Sequence, residues 1–259
     1  KGDGGPDRSG SPKNSLLFRQ KTFHFIETSI VTRARSKKGT FVAVNPVAGG
    51  GLAGRLWPGI AEKLRREIGS FDFRLSVQAG DIRSFARVAS KQGYSRIVAC
   101  GGDGTIHEAV NGIFDAGRPY PSLGILSVGT GGDLIKTLRI TSSVEGQIRI
   151  LTKGSERLID LGHVEYRNEE GKREARVFVN IADAGMGAEV LRRLPGGRQM
   201  LGRRLAYLTA TLQSFFAWRP KKIKININNR TSEQKTLFAI IANGRYFGGG
   251  MPIAPGADP

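Results

Sequence analysis

The sequence predicts an α/β N-terminal domain with a mostly parallel sheet, followed by a β-rich C-terminal domain that we expect to be truncated at its end. Over residues 39–154, short apolar runs alternate with segments of helical periodicity, which is typical of a parallel sheet covered by helices. Over residues 155–259, runs typical of strands dominate, and one long helical pattern spans about 199–218. Residues 1–38 are rich in Gly, Pro, Ser and basic residues, which predicts a disordered or poorly packed basic tail.

The elements of the N-terminal domain follow one another as strand and helix. The predicted strands are Thr40–Val44, Phe71–Val77, Arg96–Cys100 and Leu123–Val128. The segment 71–77 alternates apolar and polar residues like a half-buried strand, and the other three are apolar runs like the buried strands of a parallel sheet. Apolar residues at helical spacing follow each strand, beginning with Leu56, Ile60, Leu64 and Ile68.

The elements of the C-terminal domain are mostly strands. They are predicted at Arg157–Val164, Arg176–Ala182, Lys222–Ile227 and Thr236–Ala242. In the third of these, Ile alternates with Lys or Asn, which suits a sheet with one solvated face. The helix at 199–218 carries a stripe of leucines, which indicates core packing or the wall of an acyl-chain cleft.

The net charge of the chain limits the classes of partner that we expect it to bind. Forty Lys and Arg against 22 Asp and Glu give a net charge of +18, which favours nucleotide phosphates, an acidic membrane surface or nucleic acid over a merely basic surface. Nucleic acid is disfavoured because no recognised module with interleaved aromatic residues is present. The single cysteine, Cys100, cannot form an intrachain disulfide and indicates a reducing compartment. The sequence contains no apolar run long enough to span a membrane.

Three glycine clusters follow directly on predicted strand ends. They are NPVAGGG at 45–51, GGDGT at 101–105 and GTGGD at 129–133. Glycine lets backbone amides approach a phosphate closely, and a following helix N-terminus favours negative charge. A lone turn of this kind is often purely structural, whereas three on consecutive strands favour a phosphate site. The P-loop pattern Gly-x-x-x-x-Gly-Lys-Ser/Thr does not occur at these turns.

These motifs carry a family resemblance. In order and spacing, Asn45–Gly51, Gly101–Ile113 and Leu123–Leu138 resemble the catalytic domain of diacylglycerol kinases, a family that includes bacterial lipid kinases, sphingosine kinases and ceramide kinases. Weaker similarity continues through Asn180–Val190 and ANGRYFGGGMPIAPGA near the end. The resemblance implies a two-domain fold like that of NAD kinases and diacylglycerol kinases. It places the nucleotide in the interdomain cleft and lipid on the second domain.

The same resemblance implies a set of nucleotide-binding residues. From the first loop these are Asn45, Pro46, Val47, Ala48 and Gly49. Around the phosphates they are Gly101, Gly102, Asp103, Gly104, Thr105, Ile106 and His107. Thr130 is expected to form a hydrogen bond with the nucleotide. Ser76 lies at the position where relatives have a Thr before Gly-Asp. Gly132, where many members have Asn, and His107, where many bacterial members have Asn, depart from the pattern.

The catalytic groups follow from the resemblance as well. Asp103 is expected to hold Mg²⁺ directly or through water, and Asp258 is a weaker metal candidate. Glu189 aligns loosely with an acidic residue near the acceptor hydroxyl in sphingosine kinases. Relatives carry an Asp-Gly base after the Pro-x-Ala segment, and this sequence stops before it, so we expect either that the chain is truncated or that the protein is a fragment with impaired activity.

Structural interpretations of these residues remain open. Asp103 could cap the following helix, because Asp is a favoured cap. Glu108 lies in the first helical turn, where an acidic side chain is favourable without any function. His107 and Glu189 could be surface residues, and Cys100 is expected to be inert core.

The function implied is that of an ATP- and Mg²⁺-dependent lipid kinase acting on diacylglycerol or a related lipid alcohol, a sphingoid base included. We expect a lipid substrate at a membrane surface, contact with anionic phospholipid, no nucleic acid partner, and a cytoplasmic enzyme peripheral on the inner face of a membrane. The alternatives are a nucleotide-binding degenerate kinase or regulatory module without turnover, and an NAD kinase-like enzyme with a soluble substrate.

Overall fold

The computed structural model describes residues 22–24, 38–129, 131–168, 170–185, 219–227 and 230–259. In the N-terminal half the elements are β1 (Thr22–His24), β2 (Lys38–Val44), α1 (Leu52–Ile68), β3 (Asp72–Leu75), α2 (Asp81–Lys91), β4 (Tyr94–Gly101), α3 (Asp103–Ala116), β5 (Ser122–Ser127), α4 (Asp133–Thr137) and α5 (Val144–Lys153). In the C-terminal half they are β6 (Gly162–Arg167), β7 (Arg173–Phe178), β8 (Ile181–Gly185), β9 (Lys221–Ile227), β10 (Arg230–Thr236), β11 (Phe238–Ala242), β12 (Tyr246–Phe247) and β13 (Met251–Pro252).

The N-terminal domain contains a four-stranded parallel sheet with the strand order β3-β2-β4-β5. In its register Val44 of β2 lies opposite Leu75 of β3 and opposite Cys100 of β4. Gly101 of β4 lies opposite Ser127 of β5. The strands therefore end together, and the loops that follow them meet at one edge. The parallel α/β sheet predicted from the alternating pattern is confirmed.

Helices cover both faces of this sheet because the side chains of its central strands alternate. Phe41 and Ala43 of β2 pack in a core with α2 and α3, whereas Val42 and Val44 pack in a second core with α1 and α5. All four side chains are at most 7% exposed. Burial of apolar side chains on both faces stabilises the sheet by roughly 1.5–3 kcal/mol per large residue.

Strand β3 differs from its prediction. It spans only Asp72–Leu75, and all four residues are exposed, so the expected half-buried alternation is wrong. The strand lies at the edge of the sheet, where only β2 pairs with it among the described strands. Phe73 nevertheless packs against Trp57 of α1, with ring centroids 5.2 Å apart.

The C-terminal region is β-rich, as predicted, and its described strand pairs are all antiparallel. The strand expected at 157–164 begins only at Gly162, and the one expected at 176–182 is two strands, β7 and β8. Strand β1, which lies at 22–24 in the segment expected to be a disordered or poorly packed basic tail, pairs with β6. The long helix expected at 199–218 lies outside the described residues. No helix in the described part of the chain is long and apolar enough to cross a membrane.

Candidate functional site

The loops after β2, β4 and β5 are joined by backbone hydrogen bonds at the carboxyl edge of the sheet. The Asn45 N–H donates to the carbonyl oxygen of Cys100 at 2.9 Å, and the Val128 N–H donates to that of Gly101 at 2.8 Å. In open α/β sheets this edge is where ligands bind. The three glycine clusters singled out by the sequence therefore lie side by side.

The first loop, residues 45–51, turns through three consecutive glycines with positive φ angles, Gly49 to Gly51. A Cβ atom at Gly49 would lie 2.5 Å from the carbonyl oxygen of Val128, so only glycine fits this approach between the first and third loops. The Asn45 side chain donates to Oγ1 of Thr105 at 3.1 Å, which ties the first loop to the second. These contacts bring Asn45, Gly49 and Thr105 together, and their predicted contact with the nucleotide remains a prediction.

The remaining residues of these loops differ in exposure. Ala48 and Ile106 are buried in the two cores, while Val47 is 72% exposed. The carbonyl oxygen of Pro46 accepts from the N–H of Gly54 at 3.0 Å, and Gly104 is exposed on the first turn of α3. The loop conformations are therefore stabilised by Pro46, Ala48 and Ile106. The predicted contact of these three residues with the nucleotide remains a prediction.

Ser76 and the loop after β3 border the same edge. Ser76 is 8% exposed, and its N–H donates to the carbonyl oxygen of Val44 at 2.8 Å. The carboxylate of Asp81 accepts from the N–H groups of Val77 and Gln78 at 2.8 and 3.1 Å. These backbone hydrogen bonds lower the pKa of Asp81 from its ordinary value, because they favour the charged form. Asp81 therefore fixes the shape of the loop that carries Ser76.

Glu108 acts as a structural group. Its two carboxylate oxygens accept from the N–H groups of Gly80 and Arg83, at 3.3 and 3.4 Å, at the beginning of α2. They thus accept hydrogen bonds from two of the N–H groups that a helix leaves without an intrahelical partner at its beginning. Of the two interpretations left open for Glu108, the structure supports the structural one.

Asp103 points across the site and does not cap its own helix. Gly102 is the N-cap of α3, and no side chain caps it. Oδ2 of Asp103 accepts from the N–H of Gly132 in the third loop at 2.9 Å. Oδ1 is buried and has no hydrogen-bond partner among the described residues. The capping interpretation is therefore wrong, and the carboxylate offers one free oxygen to a cation, a water or a donor.

The fit of a magnesium nucleotide can be tested on these groups. A buried carboxylate oxygen without a partner suits Mg²⁺, which commonly takes one or two carboxylates together with waters and phosphate oxygens. Three adjacent loops of glycine with close backbone approach suit the phosphates. Within the described ranges, no three His, Cys, Asp or Glu are grouped to hold a metal by themselves. The residues present fit a cation held jointly with phosphates.

The third loop packs directly against the second. A Cβ atom at Gly129 would lie 2.7 Å from the Cα atom of Gly102, and one at Gly131 would lie 2.6 Å from Oδ2 of Asp103. Gly132 has a φ of 67°, in the left-handed region. Its backbone N–H already reaches Asp103, so the loop is fixed without the amide side chain that many relatives carry there.

Asp133 is a site residue that the sequence reasoning missed. It is 8% exposed, and its Oδ2 accepts from the N–H of Gly249 at 2.9 Å. Its Oδ1 is buried without a hydrogen-bond partner among the described residues and lies 3.7 Å from Nζ of Lys136. Nζ of Lys136 also donates to the carbonyl oxygen of Gly249 at 3.3 Å. The third loop is thus attached to a glycine turn of the C-terminal domain. In the sequence, Asp133 directly follows the glycines after the predicted strand and directly precedes the apolar residues of the next helix. This placement is the signal by which it could have been found.

Two other predicted residues have defined environments. His107 lies on α3, where partial burial of its imidazole, followed by the positive charge of Arg176, lowers the pKa of the ring. Cys100 is fully buried, and burial raises the pKa of its thiol to about 12, in agreement with inert core.

Three predicted residues are not supported by the geometry at hand. Thr130 and Glu189 lie outside the described residues, as do the basic residues near 192–204. Asp258 pairs with the guanidinium groups of Arg157 and Arg245 at 3.3 and 3.8 Å, so two positive charges already compete with a cation there. The assignment of Asp258 to a metal remains a prediction without support from its contacts.

Comparison with known families matches both halves of the chain. Residues 40–164 match the family described as "Diacylglycerol kinase catalytic domain". Residues 180–259 match the family described as "YegS C-terminal NAD kinase beta sandwich-like domain". The first match contains all three glycine loops, and the second contains the turn that contacts Asp133.

Individual relatives agree with these matches. The chain is 27% identical over 195 residues to proteins named "Probable lipid kinase YegS" from Escherichia coli O17:K52:H18 and Shigella flexneri. The match covers 75% of this chain and 62% of each relative, so the chain spans less than two thirds of their length. A crystal structure of a diacylglycerol kinase from Bacillus anthracis has the same fold, with a TM-score of 0.63 and 21% identity over 87% of this chain and 71% of that one.

Proposed function

The chain belongs to the diacylglycerol kinase catalytic-domain family, and on this premise we propose that it transfers the γ-phosphoryl group of ATP to the hydroxyl of diacylglycerol or a related lipid alcohol. The observation that carries the proposal is the Asp103 carboxylate. It joins the second and third glycine loops through Gly132 and leaves one buried oxygen free. The names of the relatives support a lipid as acceptor.

Phosphoryl transfer depends on positioning and on neutralising the phosphate oxygens more than on covalent help from the protein. In this proposal the backbone amides of the loops at 45–51, 101–105 and 129–133 orient the phosphates. The free oxygen of Asp103 would hold Mg²⁺ directly or through water. Bound Mg²⁺ would supply positive charge to the transferring group.

The acceptor side belongs to the C-terminal domain in this proposal. Glu189 remains the candidate for a carboxylate that assists deprotonation of the acceptor hydroxyl. This residue lies outside the part of the chain that the structure describes. The second candidate function, an NAD kinase-like transfer to a soluble substrate, is favoured by the description of the C-terminal family match.

The test offers one labelled donor to competing acceptors. The protein receives γ-labelled ATP and Mg²⁺ together with NAD and mixed micelles of diacylglycerol or a sphingoid base. We expect label in a phosphorylated lipid and none in NAD. Label in NAD alone would establish the second candidate, and nucleotide binding without transfer to any acceptor would indicate a degenerate kinase.

Membrane contact gives a separate prediction. With a net charge of +18, the protein should bind vesicles that contain anionic phospholipid, and raising the salt concentration should release it, because salt screens exposed charges. Co-sedimentation at low and high salt measures both effects, and vesicles of neutral phospholipid serve as the control. Equal binding to neutral and anionic vesicles would show that the charge does not direct the protein to membranes.

A further inference from the structure

A buried amide side chain on α3 lies at the contact between the two domains. Asn111 is 2% exposed. Its Oδ1 accepts from the N–H of Val177 in β7 at 3.0 Å, and its Nδ2 donates to the carbonyl oxygens of Val177 and His107, both at 2.9 Å. One side chain therefore meets both backbone groups of a strand residue, as a neighbouring strand would.

Strand β7 has an edge at which its backbone groups need hydrogen-bond partners, and the Asn111 amide supplies them. On its other side β7 pairs with β6, and Val177 lies opposite His163 in that register. Among the described strands no second neighbour pairs with β7. Val177 is 1% exposed, so its N–H and carbonyl oxygen cannot turn to water, and a buried backbone group without a partner is strongly disfavoured.

A second buried amide side chain also bonds both backbone groups of a strand residue, here inside the N-terminal domain. Gln147 of α5 is fully buried. Its Oε1 accepts from the N–H of Ser127 at 2.7 Å, and its Nε2 donates to the carbonyl oxygens of Thr141 and Ser127 at 2.9 and 3.4 Å. Ser127 is the last residue of β5, directly before the third glycine loop. Gln147 thus supports the nucleotide side of the site within one domain.

Asn111 instead connects the site to the C-terminal domain. It lies on the helix that begins with Asp103, about 12 Å further along the axis. Beyond β7 the chain reaches Asn180, whose carbonyl oxygen accepts from the N–H groups of Asn243 and Gly244. The turn that begins there continues to Gly249, which contacts Asp133 in the third loop. A closed path of contacts therefore runs from α3 through the second domain and back to the site.

We propose that Asn111 is a positioning residue that holds β7, and with it the acceptor-side domain, in register with α3. The acceptor hydroxyl then meets the phosphate bound at the beginning of the same helix. The proposal rests on the proposed kinase function for its catalytic consequence. The contact itself, between Asn111 and Val177, is independent of that function.

Two matched variants separate this role from a general loss of packing. In Asn111→Asp and in Gln147→Glu, the carboxylate can still accept the strand N–H but can no longer donate to two carbonyl oxygens. For Asn111→Asp we expect ATP affinity within about threefold of the wild type, because Asn111 forms none of these hydrogen bonds with the three glycine loops. Lipid phosphorylation should fall about a hundredfold, the scale for an acceptor misplaced by an ångström. For Gln147→Glu we expect ATP affinity itself to weaken by about tenfold.

A measurement without ATP or lipid keeps the two proposals distinguishable. Amide hydrogen exchange over residues 173–179 should accelerate in Asn111→Asp and in Asn111→Ala, which introduces no buried charge, and should be unchanged in Gln147→Glu. If the wild type transfers no phosphate to lipid, the proposed function fails while this exchange still decides whether Asn111 holds β7. Unchanged exchange in both Asn111 variants, or equal losses of ATP affinity and transfer in Asn111→Asp, would overturn the proposal.

Discussion

Replacing Asp103 by Asn should lower phosphoryl transfer by at least about a hundredfold while the protein keeps its fold. The amide of Asn retains an oxygen that can accept from Gly132, so the link between the second and third loops survives. What is lost is the negative charge beside the phosphates, together with the free buried oxygen that suits Mg²⁺. The expected loss therefore lies in the rate of transfer. Steady-state kinetics, with circular dichroism as the check on folding, measures it.

The matched control is Asp115→Asn on the same helix. Asp115 forms a two-point ion pair with Arg83 at 2.6 and 2.9 Å, away from the glycine loops. We expect its activity to stay within about threefold of the wild type, since removal of a partly exposed ion pair has a small effect. Wild-type turnover by a well-folded Asp103→Asn protein would remove Asp103 from the mechanism.

Replacing Gly49 by Ala should weaken ATP binding by more than about tenfold. Gly49 has a φ of 64°, and a Cβ atom there would lie 2.5 Å from the carbonyl oxygen of Val128. Because the contacted atom is the backbone carbonyl oxygen of Val128, directly after β5, neither partner can move aside without separating the first loop from the third. Isothermal titration with ATP and Mg²⁺ measures the loss.

Gly50→Ala separates this collision from backbone strain. Gly50 has a φ of 71°, and a Cβ atom there would meet nothing within 4 Å. Gly50→Ala should therefore lower the free energy of unfolding by about 1–2 kcal/mol, because alanine resists a left-handed backbone, and Gly49→Ala should lower it further because of the collision. Gly49→Ala should also impair ATP binding more strongly than Gly50→Ala does. Equal ATP affinities in the two variants would contradict the close contact of the loops.

The N-terminal sheet and its glycine loops could be predicted because their signals are local. Apolar runs followed directly by glycine clusters determine both the strands and the loops at their ends. Strand β3 was harder, since the alternation of Phe73 and Leu75 does not reveal that a strand lies at an exposed edge.

Contacts between distant segments could not be predicted from one sequence. The partner of Asp133 is Gly249, 116 residues further along the chain, and that of Asn111 is Val177, 66 residues away. Nothing in the residues around Asp133 or Asn111 specifies those partners. The capping interpretation of Asp103 shows the same limit, because its bond to Gly132 crosses from one strand end to the next.

The central claim is that the three glycine loops form one nucleotide-phosphate site at the carboxyl edge of the parallel sheet. Amide hydrogen exchange with and without ATP and Mg²⁺ tests it most directly, and the paired strands β9 and β10, at 221–227 and 230–236, serve as the internal reference. We expect ATP to slow exchange at 45–51, 101–105 and 129–133 together and to leave these two strands unchanged. Binding of ATP that slows exchange elsewhere, while these three loops stay unchanged, would contradict the account.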